Sequence, residues 1–91
     1  MRTETGVEVR VETFLRAQFS ISPRDSGFAW DIDIFERGYV DSVGVVELLA
    51  FLAREFGVEV PEEDLLSDEF STVAGIARII RRLRAASGRP A

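Results

Sequence analysis

Gly38-Tyr39-Val40-Asp41-Ser42-Val43-Gly44-Val45-Val46-Glu47-Leu48-Leu49-Ala50-Phe51-Leu52-Ala53-Arg54-Glu55-Phe56 reads as a helix that begins at a serine. Asp41 and Ser42 are both favoured at helix starts, and Gly57, next after Phe56, is a natural stop. Val45, Leu48, Leu49, Leu52 and Phe56 fall in one stripe at helical periodicity, which predicts the core face. The opposite face carries Val43, Glu47, Ala50 and Arg54, flanked by Val46 and Phe51, and is more apolar than a solvated helix needs. By itself, a serine at a helix start reads as a cap. The unpaired N–H groups and the dipole at such an end also favour an anion, so a phosphate on the Ser42 oxygen would sit in a favourable field.

Outward from this helix, Val7, Val11, Phe14, Leu15 and Phe19 repeat at helical spacing and predict a first helix over 7–19. Glu12 and Arg16, four apart, form a favourable exposed pair on it. Ser20 to Arg37 is a long connection punctuated by Pro23 and Gly27. It carries Phe28, Trp30, Ile32, Ile34 and Phe35, too many large apolar groups for a solvated loop, so several should dock on the helices. After Gly57, Val58-Glu59-Val60 reads as extended. Pro61-Glu62-Glu63-Asp64-Leu65-Leu66 predicts a short third helix, with proline at a first helical position, acids in the first turn and two leucines to pack. Ser71 or Thr72 then caps a last helix with Val73, Ile76, Ala77, Ile80 and Leu83 on one stripe. Arg81, Arg82 and Arg84 fall in its last turns, where cations suit the dipole. The fold class expected is all-α: a small four-helix bundle of three longer helices and one short third helix, with a long loop between the first two. One domain spans 1–91, with a core over about 7–84 and loose ends at 1–6 and 85–91.

Composition removes several function classes. The 91 residues include no cysteine and no histidine, so there is no disulfide, no thiolate metal site, and none of the commonest general base. A hydrolase using Ser42 lacks a base. Asp31 and Asp33 alternate as in a calcium loop, but Phe35 and Glu36 stand where that loop needs a ligand and a glycine, so no metal site is expected. The net charge is −5 and unevenly placed: Asp41, Glu47, Glu55, Glu59, Glu62, Glu63, Asp64, Asp68 and Glu69 crowd residues 41–69 beside one base, Arg54. That argues against nucleic acid and for basic protein partners. Residues 78–91 hold five arginines and no acid. No apolar run approaches the roughly 18 residues of a membrane span, and the N-terminus lacks a signal-peptide core. A cytoplasmic monomer is expected.

Gly38-Tyr39-Val40-Asp41-Ser42-Val43, with Val46-Glu47-Leu48-Leu49-Ala50-Phe51-Leu52 and Glu55-Phe56-Gly57-Val58-Glu59-Val60 behind it, resembles the acyl and peptidyl carrier proteins. Their signature is Asp-Ser-Leu, here Asp-Ser-Val, at the start of the second helix. Asp33-Ile34-Phe35-Glu36-Arg37-Gly38 is similar to the family's approach to that serine, and Pro61-Glu62-Glu63-Asp64-Leu65 to its short third helix. Asp68, Phe70, Thr72, Val73 and Ile76 resemble the start of its last helix.

The resemblance implies a carrier and not an enzyme. A phosphopantetheinyl transferase would move 4′-phosphopantetheine from coenzyme A onto Ser42, with Asp41 as its motif neighbour. The thiol of that arm would hold an acyl or aminoacyl group as a thioester. The expected partners are that transferase, a loading enzyme, and downstream synthase or transferase enzymes. Val43, Gly44, Val46, Glu47, Ala50, Arg54, Glu62 and Glu63 are the implied partner-binding residues, with Gly44 suggesting close approach by the arm or a partner.

The sequence also departs from the carriers of fatty-acid synthesis. Gly44 stands where they have an acid, and Ala53 and Arg54 where acids are frequent. A discrete carrier of polyketide, nonribosomal peptide or related specialised metabolism is therefore expected. The alternatives are a carrier of primary fatty-acid synthesis, or a carrier-like interaction module without the arm.

Overall fold

The computed structural model describes residues 6–87. Helix α1 spans Val7–Gln18, α2 Ser42–Phe56, α3 Glu62–Leu65 and α4 Val73–Ser87, with a 3-10 turn at Asp68–Ser71 between the last two. The expected all-α bundle of three longer helices and one short one is present, and no strand occurs among the described residues. Of the loose ends expected at 1–6 and 85–91, residues 1–5 and 88–91 lie outside those described. Residues 85–87, read from sequence as tail, continue α4.

The core is made by Val11 and Leu15 of α1, Leu48, Phe51, Leu52 and Phe56 of α2, and Val73, Ile76, Ala77, Ile79 and Ile80 of α4. Each large side chain buried there is worth about 1.5–3 kcal/mol. The long connection closes this core as expected: Ile21, Phe28, Ile34 and Val40 are buried, with Ile32 and Phe35 packed against them. Trp30 stays exposed, but its indole N–H donates to Glu12 at 2.7 Å and its carbonyl accepts the Ala74 N–H at 2.9 Å. Bonds such as these hold the 19–41 connection to α1 and to the start of α4, although it forms no helix of its own.

Helix α2 is rolled relative to the stripe expected of it. Phe51, assigned to the edge of the outward face, is buried, while Val45 and Leu49 are only half-buried. The cause is α1: Phe14 stacks on Phe51 with ring centroids 4.1 Å apart, drawing that side of α2 inward. At the end of α2, Gly57 takes φ +68 and donates its N–H to the Ala53 carbonyl at 3.0 Å, the left-handed stop that glycine permits. Pro61 is the residue before α3 and not its first helical position. Thr72 caps α4, its hydroxyl accepting the Gly75 N–H at 2.9 Å. The arginines of α4 make ion pairs: Arg81 holds Glu8 at 2.8 Å, and Arg78 holds Glu69 at 3.1 Å.

Candidate functional site

Ser42 is delivered by a short, internally bonded loop. The Asp33 carboxylate accepts the N–H groups of Phe35 and Glu36 at 3.0 and 2.8 Å, turning the chain. Gly38 then adopts φ +82, and the N–H groups of Tyr39 and Val40 both reach the Ile34 carbonyl, at 3.0 and 3.1 Å. Ile34 and Val40 are buried, so the loop is anchored on both sides of its turn.

The capping role falls to Asp41. Its backbone is extended, its carboxylate accepts the Gly44 N–H at 2.8 Å, and its carbonyl accepts the Val45 N–H at 3.1 Å. Ser42 is therefore the first residue of α2, exposed, with a hydroxyl that makes no hydrogen bond among the described residues. The reading of Ser42 as the cap is corrected by this geometry. What remains at the helix end is a free hydroxyl beside main-chain N–H groups at the positive end of the dipole.

A groove of about 700 Å³ opens beside it, between α2 and the segment holding α3 and the 3-10 turn. Phe35, Val40, Val45, Leu65, Leu66 and Phe70 supply its apolar lining, and Asp41, Ser42, Ser67, Asp68 and Ser71 its polar rim. Beside it stand Val43 and Val46, 69% and 67% exposed, while Leu66 on its edge is 79% exposed. Val46 lies one turn after Ser42 and shares its side of the helix.

The expected partner residues do not form one patch. Val43, Val46 and Ala50 are exposed on α2, and Glu62 and Glu63 are exposed on α3. Glu47 is exposed but turned towards α1, where it accepts a hydrogen bond from Gln18 at 3.1 Å. Arg54 lines a separate groove between α1 and α2 with Arg10, Thr13 and Phe14. Gly44 is buried, and a methyl group there would stand 2.7 Å from the Phe19 ring and 2.9 Å from Val40. The close approach its glycine permits is to Phe19 and Val40, not to an arm or a partner. Leu66 was missed from sequence because it was read as one of two leucines to pack. Only Leu65 packs against the core.

No group of three or more acids arranged to hold a metal occurs among the described residues, and no helix there is long and apolar enough to cross a membrane. A covalent arm fits what is present: an exposed, unbonded hydroxyl at a helix N-terminus, with an open groove next to it.

Comparison with known proteins finds a family and several relatives. Residues 10–80 match the family described as "Phosphopantetheine attachment site". The D-alanyl carrier protein of Bacillus velezensis is 41% identical over 54 residues, 59% of this chain and 69% of the relative. D-alanyl carrier protein 1 of Lactiplantibacillus plantarum is 31% identical over 72 residues, 79% of this chain and 90% of the relative. A D-alanyl carrier protein of Streptococcus pyogenes is 36% identical over 54 residues, 59% of this chain and 68% of the relative. No solved structure matches. Members of this family bear covalent 4′-phosphopantetheine and act with a transferase and loading enzymes, not as catalysts themselves. The chain belongs to the phosphopantetheine-bearing carrier proteins.

Proposed function

We propose that Ser42 is the attachment site of the arm and that the chain carries a small aminoacyl group. The observation that carries this reading is the exposed Ser42 hydroxyl, left unbonded because Asp41 takes the cap. Ser42 Oγ forms the bond to phosphorus as the bond to the nucleotide part of coenzyme A breaks, and its proton leaves to a base of the transferase. The N–H groups of the first turn of α2 favour the phosphodiester anion that results. The arm supplies the thiol that holds the cargo as a thioester, a group this cysteine-free chain lacks.

Val43, Val46 and Ala50 offer partner enzymes an apolar strip, and Glu62 and Glu63 an acidic flank. A partner with an apolar centre and a basic edge fits both. Curated relatives named as D-alanyl carriers favour an aminoacyl cargo over a polyketide or fatty-acyl one. Dependence on coenzyme A favours a cytoplasmic setting for this work.

The test is direct. Incubation with coenzyme A, magnesium and a broad-specificity phosphopantetheinyl transferase should add the mass of one phosphopantetheine group, and Ser42→Ala should add none. No gain with several transferases would leave an interaction module without the arm. Loading of the modified chain by aminoacyl- and acyl-activating enzymes, read by intact mass, then separates the cargo classes. Exclusive malonyl or long-chain acyl loading would sink the aminoacyl assignment.

A further inference from the structure

The wall of the groove opposite Ser42 is secured unevenly. Its far end is fixed by main chain and core: Phe70 is buried, and the Ile34 N–H donates to the Ser71 carbonyl at 2.8 Å. Its near end is α3, a four-residue helix with no fully buried residue and no side-chain cap bond at Pro61. A single helical turn is not stable in isolation. A side-chain ion pair ties it to the rest of the bundle through Arg82 of α4. One nitrogen of that guanidinium, Nη2, pairs with Asp64 of α3, and the other, Nη1, lies 3.4 Å from Glu69 of the 3-10 turn. Arg78 holds the second oxygen of Glu69 at 3.1 Å. The Asp64 side chain is 15% exposed, so this end of the bridge is partly shielded from water. A planar fork that meets two carboxylates fixes direction as well as distance, which an ammonium on a flexible stem does not.

We propose that Arg82 is a positioning residue for chemistry at Ser42: it pins α3 to α4 and so sets the width of the groove that an enzyme acting on Ser42 meets. This rests on the attachment of the arm at Ser42. With its Arg82 end half-exposed, the pair adds little to global stability. The bridge can therefore be removed without unfolding the bundle, and its loss falls on the least secured element it touches.

The test compares Arg82→Gln with Arg81→Gln, which removes the same charge from the same helix but breaks the pair to Glu8 instead. Hydrogen exchange of amides 62–67 should quicken by about two- to fivefold in R82Q and stay at the parental rate in R81Q. KM of the phosphopantetheinyl transferase for the chain should rise by a similar factor in R82Q with kcat unchanged. Arg82→Lys, able to keep one of the two contacts, should fall between. Equal exchange of 62–67 in R82Q and R81Q would overturn the proposal, as would faster exchange spread evenly over α1 and α4. Local quickening with an unchanged KM would break the link to Ser42. If the parent chain accepts no phosphopantetheine at all, the attachment reading fails, while the exchange data still report on the bridge.

Discussion

Around α1 and α4, Glu8, Glu12, Glu55 and Glu69 each meet an arginine: Arg81, Arg16, Arg10 and Arg78. Around Ser42, Glu62, Glu63 and Asp68 make no ion pair among the described residues, and Val43, Val46 and Leu66 stand exposed beside them. The same residue types thus serve two ends. On one side, charge is closed upon itself and contributes to holding helices together. On the other, charge and apolar surface stay open, and this is the face proposed above to meet partner enzymes. Acidity in the sequence is spread over both sides, and only the pairing distinguishes them.

The largest expected effect lies on the closed side. A methyl group at Gly75 would stand 2.0 Å from the Glu69 carbonyl oxygen, a backbone atom that cannot step aside. Gly75→Ala should therefore cost about 3 kcal/mol by overpacking. In a domain of this size that lowers the melting temperature by roughly 12–24 °C, seen by circular dichroism. A melting temperature within two degrees of the parent would show that α4 and the 3-10 turn are not tightly apposed.

Gly44→Ala tests the border between the two sides. Helix propensity favours alanine by roughly 0.5–1 kcal/mol. The contacts to Phe19 and Val40 oppose it by about 1–3 kcal/mol. The structure predicts a net loss of about 1 kcal/mol by denaturant unfolding; a net gain would mean that Phe19 gives way freely.

Acid should loosen the closed side next. The Arg81 hydrogen bonds hold the Glu8 carboxyl below its ordinary 4.5; the Trp30 N–H, then Arg16, do the same for Glu12; Arg78, then Arg82, do so for Glu69. For a lowered carboxyl pKa the stabilisation is present above the ordinary value and is lost as pH falls through the folded one. Melting temperature should hold from neutral pH to about 5, then fall below about 4.5. High salt should flatten the fall. A flat profile down to pH 3 would remove these pairs from the account of stability.

The smallest effect on folding belongs to the open side. Leu66→Ala should leave the melting temperature within about 0.5 kcal/mol equivalent, as surface changes do. It should still slow modification or loading, measured as kcat/KM with the transferase and a loading enzyme. Parental kinetics would show that the lip of the groove is not touched by partners.

Much of this was legible in the residues, because helical periodicity and helix-end chemistry are local. The bounds of α2, its stop at Gly57 and the docking of Phe28 and Ile34 all followed from spacing and composition. What spacing does not carry is which neighbour covers a helix. The roll of α2 is set by Phe14 of α1 and by Phe19 just after it, which is why spacing puts Phe51 on the outward face and Gly44 among the partner-binding residues. Leu66 differs from Leu65 only through where a one-turn helix ends, too short a stretch for a period to show. The choice between Asp41 and Ser42 as cap is a matter of one residue of register, and either side chain suits the role.

That register has a consequence for the working life of the molecule. Because the helix is closed by Asp41, esterifying Ser42 takes no bond away from α2, and a phosphodiester beside its first turn adds a favourable interaction of about 0.3–1 kcal/mol. The bare and armed chains should then share one fold and melt within a few degrees of each other. On the attachment proposed at Ser42, the chain would be armed and stripped without refolding, and partners would tell the two states apart by the arm and not by the shape of the bundle.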